Sequence, residues 1–344
     1  MEPNQEKKVE VKAALEASSA QAVVKGRWKA VQRTGFALAG LVAVVVVVNI
    51  FSHGSFLTTT NLTNVLRQIT FNAILAVGQT FVIITAGIDL SVGSLIELTG
   101  VVMASFANAM PFDGVPLVLA TLAVGLLVGC FAGFVNAVPV VRLNLPPFIT
   151  TLAMMLMARG LAFKLSHGRP VPLNSNAFDT IGTGFFLNIP VAVWWMAVIV
   201  IVFAVLLTRT RFGRYVFAIG GNEEAARLAG INVHLVKTLV YVISGGCAAV
   251  AGLLLMARFS SGSPQTGIGS ELQSIAAVVV GGTSLMGGRG SVIATFLGAL
   301  LIGLLNNAMN LLNIESYTQD IVLGAVILIA VVIDELRKRY LGAR

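Results

Sequence analysis

Apolar segments about twenty residues long recur along most of the chain, and only short polar stretches separate them. A helix needs roughly twenty consecutive apolar residues to cross the hydrocarbon core of a bilayer. Hydrophobic residues make up 56% of the sequence and charged residues only 11%, which is not the balance of a soluble protein. The pattern predicts an all-α polytopic membrane protein.

The apolar pattern predicts ten transmembrane helices. We expect a polar segment over residues 1–33, a transmembrane domain over 34–336 and a basic tail over 337–344. The eighth predicted helix is short, and it lies between a Ser/Gly-rich stretch and a glycine run. The predicted spans are Thr34–Phe51, Val65–Thr85, Ile88–Met110, Leu117–Val141, Phe148–Leu165, Ile189–Thr208, Leu235–Ala257, Gln273–Val280, Ser291–Leu312 and Tyr317–Ile333.

Basic residues indicate the orientation of these helices. Ten spans place both termini and the polar segment 209–234 on one side, and cytoplasmic segments are enriched in Lys and Arg. The net charge of +8 therefore reflects orientation in the membrane, and we do not interpret it as nucleic-acid binding. Of the 23 basic residues, five do not fall on this side: Arg67, Arg159, Lys164, Arg169 and Arg258.

The stretch Ala86–Ser94 (A-G-I-D-L-S-V-G-S) interrupts the apolar pattern between the second and third spans. No polar loop long enough to separate two full helices is present here, so the break is expected at membrane depth. Non-helical backbone is tolerated there only inside protein or beside a water-filled cavity. An intramembrane carboxylate such as Asp89 is a functional hypothesis by default. The alternative is that Asp89 or Ser91 caps the following helix.

An internal repeat is visible in the sequence. Leu119-Ala120-Thr121 matches Ile293-Ala294-Thr295 at an offset of 174, and Val92-Gly93-Ser94 resembles Ile268-Gly269-Ser270 at nearly the same offset. Spans two to five thus correspond to spans seven to ten. Because the shift is five spans, the two copies are expected to be inverted, with broken helices in matching positions in opposite halves of the membrane. Such repeats point to a substrate path at their interface.

Polar side chains near this break are candidates for the path. Asn72 and Gln79 lie on one face of the second span, where they could bind a hydroxylated solute or join neighbouring helices. Glu97 could relay protons, or it could be a packed, hydrogen-bonded carboxylate. The three histidines lie far apart, so no metal site is expected. The predicted path residues are Asn72, Gln79, Gly87, Asp89, Ser91, Gly93, Ser94 and Ser270.

The segment 209–234 is the only long polar segment expected on the cytoplasmic side between spans, and 166–188 is expected to be the longest outside loop. Within it, Glu223–Gly230 is predicted to form a short helix, capped by Asn222 and ended by Gly230. Leu228 would present an apolar side chain among charges, a surface suited to a groove on another protein. A surface helix without a partner is the alternative.

Three stretches closely resemble the membrane permease of ribose-type bacterial ATP-binding-cassette (ABC) importers. They are Ala76–Ser94, Thr210–Val233 (T-R-F-G-R-Y-V-F-A-I-G-G-N-E-E-A-A-R-L-A-G-I-N-V) and Ala276–Gly290 (A-A-V-V-V-G-G-T-S-L-M-G-G-R-G). The likeness runs in order from about residue 50 to about residue 335.

The resemblance implies a non-enzymatic inner-membrane subunit that takes a monosaccharide, ribose first, from a periplasmic binding protein. It also implies a second permease copy, surrounding lipid and a separate cytoplasmic ATPase that hydrolyses the ATP; no cofactor is expected on this chain, which has no G-x-x-x-x-G-K-[ST] loop. An ion-coupled secondary transporter is the alternative. The residues expected to couple to the ATPase are Gly213, Arg214, Asn222, Glu223, Glu224, Ala225, Arg227, Leu228 and Gly230.

Overall fold

A computed structural model describes residues 46, 49–50 and 54–341, with side chains given for all of these except 333–335 and 337–341. The predicted polar segment 1–33 and nearly all of the first predicted span, Thr34–Phe51, lie outside the described residues. Residues 342–344 of the basic tail lie outside them as well. Contacts divide the chain into the units 1–47 and 48–344, and the second unit is described below.

The described unit is almost entirely helical. Its helices agree closely with nine of the predicted spans, and the last helix continues past the predicted end at Ile333 to Leu341. The helices are α1 (Thr59–Ile84), α2 (Val92–Ala109), α3 (Val115–Arg142), α4 (Pro147–Leu165), α5 (Asp179–Gly182), α6 (Val191–Arg209), α7 (Arg211–Gly221), α8 (Glu223–Leu228), α9 (Val233–Phe259), α10 (Ser270–Val280), α11 (Val292–Leu311) and α12 (Ser316–Leu341).

Within the described residues, seven helices are long and apolar enough to cross a membrane: α1, α2, α3, α4, α6, α9 and α11. Helix α10 is apolar but short, and only the part Ser316–Val332 of α12 is an apolar stretch. Local signals set the helix ends. The Thr58 side chain accepts the Asn61 N–H before α1, and the Ser291 side chain accepts the Ala294 N–H before α11.

Helix α9 lies at the centre of this unit and packs against α1, α2 and α3. Small residues permit the close approach. A Cβ on Gly129 of α3 would overlap the Gly245 carbonyl, and a Cβ on Gly78 of α1 would lie 3.0 Å from the Ser244 Cα. Between membrane helices, small residues let backbones pack without bulky side chains between them. The small residues of α9 around Ser244-Gly245-Gly246 therefore let α1 and α3 approach it closely.

Two small antiparallel sheets order the loops at one end of the helices. Strand β1 (Val171–Pro172) pairs with β4 (Ser261–Gly262), and β2 (Phe185–Phe186) pairs with β3 (Ile189–Pro190). Two short 3₁₀ turns complete the structure, Ser55–Leu57 and Asn176–Phe178. The stretch 166–188 therefore contains short regular elements. Strand β1 joins this loop to the end of α9.

Candidate functional site

The predicted interruption is present, but it is shorter than the motif. Helix α1 ends at Ile84 and α2 begins at Val92, so Gly93 and Ser94 belong to the first turn of α2 rather than to the break. Ala86 adopts a left-handed backbone with φ of +59°, and Gly87 donates its N–H to the Val82 carbonyl at 3.0 Å. The chain thus turns sharply at the end of α1.

Asp89 lies fully buried in this break and contacts two segments of the chain. Its Oδ1 accepts the Ser91 N–H at 2.9 Å and the Ser91 hydroxyl at 2.6 Å. Its Oδ2 accepts the hydroxyl of Ser244, in the middle of α9, at 2.7 Å. The Ser91 side chain makes no capping bond to α2. Of the capping role, the structure shows one part: Asp89 accepts the Ser91 N–H just ahead of α2. The same carboxylate also joins the break to α9 through Ser244.

Two further hydrogen bonds fix the break to its neighbours. Asn136 of α3 donates to the Ser91 hydroxyl at 2.8 Å, and Thr151 of α4 donates to the Ile88 carbonyl at 3.0 Å. Ser94 donates its hydroxyl back to the Ser91 carbonyl at 2.8 Å. Two backbone carbonyls of the break therefore accept from side chains of α2 and α4, and α3 holds the Ser91 side chain. Irregular backbone at membrane depth requires such partners within the protein.

The break between α1 and α2 touches a second break, which lies between the end of α9 at Phe259 and the start of α10 at Ser270. A Cβ on Gly93 would lie 2.6 Å from the Gly267 carbonyl oxygen and would overlap the carboxylate of Glu271. Near the start of the second break, Gly262 packs against Gly100 in α2. From there the chain continues to Gly93, and α10 begins at Ser270. The placement of Ala86–Ser94 and Ser263–Ser270 in opposite halves of the membrane stays a prediction.

Glu97 forms an ion pair with Arg159. The Arg159 Nε lies 3.1 Å from Glu97 Oε2, and this contact joins α2 to α4. Of the two alternatives for Glu97, the packed and hydrogen-bonded carboxylate describes the geometry. The path residues predicted from the sequence include neither Arg159 nor Glu271. Applying the offset of 174 to Glu97 leads to Glu271, so the repeat itself carried the missing signal.

The two amides predicted on one face of α1 have different environments. Asn72 donates to Gln273 Oε1 of α10 at 2.8 Å, which is the interhelical role. Gln79 is fully buried, and neither its Oε1 nor its Nε2 has a hydrogen-bond partner among the described residues. Gly87 packs tightly as well: a Cβ there would lie 2.7 Å from the Tyr241 hydroxyl.

The polar segment forms two short helices, α7 and α8, as its sequence predicts for Glu223–Leu228. The Asn222 side chain accepts the Ala225 N–H at 2.9 Å, and Gly230 follows the end of α8 with φ of +81°. Glu223 pairs with Arg227 at 3.2 Å and with Lys237 of α9 at 2.5 Å. These ion pairs brace α8 against α9.

The outward face of this pair of helices is open. Arg214, Glu224 and Ala225 are exposed, and the Leu228 side chain is 86% exposed. Gly213 packs against the Leu207 backbone, which joins α7 closely to the end of α6. A single exposed leucine is not unusual on a protein surface, so its exposure alone does not identify a partner.

The polar segment also touches the interruption. A Cβ on Gly220 of α7 would overlap the Ile84 carbonyl at the end of α1 and would lie 2.6 Å from the Gly288 N. Gly288 donates its N–H to the same Ile84 carbonyl at 2.9 Å. Three backbones thus meet at one point: the end of α1, the end of α7 and the glycine run before α11.

These features define a multi-pass helical membrane protein with a broken helix pair beside an exposed polar segment. The family model described as "Branched-chain amino acid transport system / permease component" matches residues 61–331, and the chain belongs to this permease family. This is a family of transport permeases, not a class of enzymes.

Individual relatives are similar over nearly the whole length. A ribose import permease protein (RbsC) of Haemophilus influenzae is 45% identical over 93% of this chain and 96% of its own. The Escherichia coli K12 protein of the same name is 44% identical over 90% and 95%. An L-arabinose ABC transporter permease of Azospirillum brasilense is 37% identical over 91% and 90%. No solved structure matches the chain.

Proposed function

We propose that the protein is the membrane permease subunit of a bacterial ABC importer for ribose or a closely related monosaccharide. The observation that carries this proposal is identity of 44–45% to ribose import permeases over at least 90% of the chain. Permeases named for L-arabinose and D-allose are less similar, at 36–38%. In this role the chain binds no cofactor and catalyses no covalent step.

The topology proposed for this role has ten spans in the inner membrane, with both termini in the cytoplasm. The seven long apolar helices, the shorter apolar helices α10 and α12 and the predicted span Thr34–Phe51 make up this number. Spans two to five and seven to ten then form the inverted repeats. The concentration of Lys and Arg near Arg33, Arg214 and Arg337 supports the orientation.

The energy is proposed to come from a separate cytoplasmic ATPase that docks on α7 and α8. Leu228 supplies the apolar contact, and the exposed Arg214, Glu224 and Arg227 surround it with charge. The contact of Gly220 with Ile84 supports a direct mechanical route, because a displacement of α7 would press on the end of α1. Packed backbones transmit such a displacement with little compression.

The sugar is proposed to cross beside the break between α1 and α2, at the interface with a second copy of the permease or a close paralogue. Asp89, Ser91, Gly93, Ser94 and Ser270 lie on or next to the two breaks. A periplasmic binding protein delivers the sugar, and membrane lipid covers the remaining apolar surface. Much of that surface is exposed in the single chain, including Leu127 and Ile201.

The substrate can be tested by uptake of radiolabelled sugar in bacterial cells that lack their own ribose importer. The cells would express this chain with its ATPase and binding-protein partners, or the partners alone. We expect uptake of ribose only when this chain is present, with unlabelled L-arabinose and D-allose competing less well than unlabelled ribose. Uptake of a different solute, with ribose neither taken up nor competing, would contradict the proposed substrate.

A further inference from the structure

Two glycines and two glutamates form a reciprocal arrangement where the two breaks meet. Glu97 lies one helical turn after Gly93 in α2, and Glu271, in the first turn of α10, lies four positions after Gly267. A Cβ on Gly93 would overlap the Glu271 carboxylate, and a Cβ on Gly267 would lie 3.1 Å from Glu97 Cγ. The missing side chain of Gly93 therefore leaves room for the Glu271 carboxylate, and that of Gly267 leaves room for the Gly93 backbone and the Glu97 Cγ methylene group.

The internal repeat relates these four residues. Gly93 and Gly267 are 174 positions apart, and so are Glu97 and Glu271, which is the offset between Leu119 and Ile293. The contact thus pairs Gly93 with Gly267 rather than with Gly269. Glu97 and Glu271 thus occupy equivalent positions in the two repeats, and both lie near the contact between Gly93 and Gly267.

Arg159 of α4 completes a buried charged cluster with these carboxylates. The Glu97 carboxylate interacts with Arg159 and also with the Gly267 backbone. This leaves Arg159 Nη2 and Glu271 Oε2 as the two atoms without any partner among the described residues. Buried polar atoms are nearly always paired in folded proteins. One free acceptor and one free donor in the same cluster therefore suggest a polar ligand.

The cluster is open on one side. Glu97 is fully buried and Glu271 is 9% exposed, whereas the Arg159 side chain is 25% exposed. A guanidinium group is costly in hydrocarbon, so charged side chains in membrane helices face protein or water-filled cavities. The exposed edge of Arg159 is therefore expected on the side of a path rather than on the side of the lipid tails.

The chemistry of the cluster fits the hydroxyl groups of a sugar. A hydroxyl both donates and accepts, an ionised carboxylate only accepts, and a guanidinium only donates. We propose that Glu97, Arg159 and Glu271 form a contact site for monosaccharide hydroxyls in the transport path, at the crossing of Gly93 and Gly267. This inference rests on the proposed sugar import, but it adds a specific site that its test can separate from that function.

The first test asks whether the cluster faces water, and it does not depend on the substrate. Ser270→Cys, beside Glu271, is made in a Cys130→Ser, Cys247→Ala background and treated in membranes with a cationic, membrane-impermeant methanethiosulfonate. Ser274→Cys, one turn further along α10 and fully buried, is the matched control. We expect modification of Ser270→Cys and none of Ser274→Cys. No modification of Ser270→Cys, with or without ATPase and ATP, would overturn the proposal.

The second test asks whether the cluster contacts hydroxyls. Proteoliposomes with the complete importer are given saturating binding protein loaded with ribose or with ribose lacking one hydroxyl. For at least one deoxy sugar we expect the maximal rate of the unaltered importer to fall roughly tenfold, about the effect of one hydrogen bond to a charged group. Glu271→Gln should slow ribose and reduce this ratio at least threefold, while Glu315→Gln, exposed and outside the cluster, should change neither.

The outcomes distinguish the site from a purely structural role. If Glu271→Gln slows ribose and every deoxy sugar by the same factor, the carboxylate only supports the fold and the proposal is wrong. Equal rates for all sugars in the unaltered importer would also contradict it. If the unaltered importer moves no ribose with ATP, the proposed function fails, and the accessibility test still decides whether the cluster lines an aqueous path.

Discussion

The Asp89 carboxylate and the Ser244 hydroxyl, 155 positions apart in the chain, form a hydrogen bond of 2.7 Å. The bond connects the break after α1 to the middle of α9, the helix that packs against α1, α2 and α3. The other carboxylate oxygen, Oδ1, accepts two hydrogen bonds, both from Ser91: one from its N–H and one from its hydroxyl. Asp89 is thus a buried acceptor for three donors, and each of those donors is a neutral group.

Because the three donors are neutral, an amide oxygen can replace much of what Asp89 does. We expect Asp89→Asn to keep partial transport, since the Ser244 hydroxyl can rotate to accept from the new amide. Asp89→Ala should be inactive or poorly folded, because a buried unpaired donor costs about 1–3 kcal/mol. Transport rate and thermal stability in detergent measure both effects. Complete loss in a well-folded Asp89→Asn would mean that the charge itself is required.

The contact between the two breaks predicts a sharp difference between two glycines of α2. Gly93→Ala should block transport while the protein still inserts, since the new Cβ meets Gly267 and Glu271 and overpacking costs about 1–3 kcal/mol. Gly100→Ala is the matched control, because a Cβ there has ordinary contact at 3.8 Å from the Gly252 carbonyl. Equal transport by the two variants at equal membrane yield would contradict the close packing.

The junction at Ile84 predicts a second difference, between neighbouring glycines of α7. Gly220→Ala should reduce transport strongly, because its Cβ would overlap the Ile84 carbonyl, whereas Gly221→Ala has open space around it. Substrate-stimulated ATPase activity of the complex measures the coupling directly. We expect Gly220→Ala to bind the ATPase but to lose most of this stimulation. Normal stimulation in Gly220→Ala would exclude the proposed mechanical route.

The exposed leucine of α8 predicts a binding defect without a folding defect. Leu228→Ala should weaken association with the ATPase roughly tenfold or more, the effect of removing an apolar anchor from an interface. Replacing Glu224 and Arg227 together should weaken it as well. The control is Leu187→Ala, since Leu187 is 71% exposed in the β2–β3 turn, far along the chain from α8. Co-purification at unchanged ratio for Leu228→Ala would contradict the docking surface.

Much of this organisation was predictable from the sequence because membrane helices follow simple rules. Hydropathy located the helices to within a few residues, except at the two ends of the unit, where α1 begins at Thr59 and α12 ends at Leu341. Local chemistry predicted the Asn222 cap and the Gly230 terminus of α8. These features depend on neighbours in sequence, and a single sequence contains that information.

The remaining features depend on contacts between distant segments. Nothing local to Asp89 indicates Ser244 as its partner, and nothing local to Arg159 indicates Glu97. The repeat offset of 174 aligns Gly93 with Gly267. The similarity of Val92-Gly93-Ser94 to Ile268-Gly269-Ser270 aligned it instead with Gly269, two residues further on. The number of spans and the inversion of the repeats stay predictions, since neither follows from helix lengths alone.

The central claim, that ATP hydrolysed by a separate subunit drives the sugar through this chain, has one direct measurement. The purified permease is reconstituted in proteoliposomes with its ATPase and sugar-loaded binding protein, and ribose uptake is followed with enclosed ATP or with an imposed proton or sodium gradient. We predict uptake with ATP, loss of uptake when the ATPase is omitted, and no response to either gradient. Uptake driven by an ion gradient without ATP and ATPase would contradict this account and identify a secondary transporter.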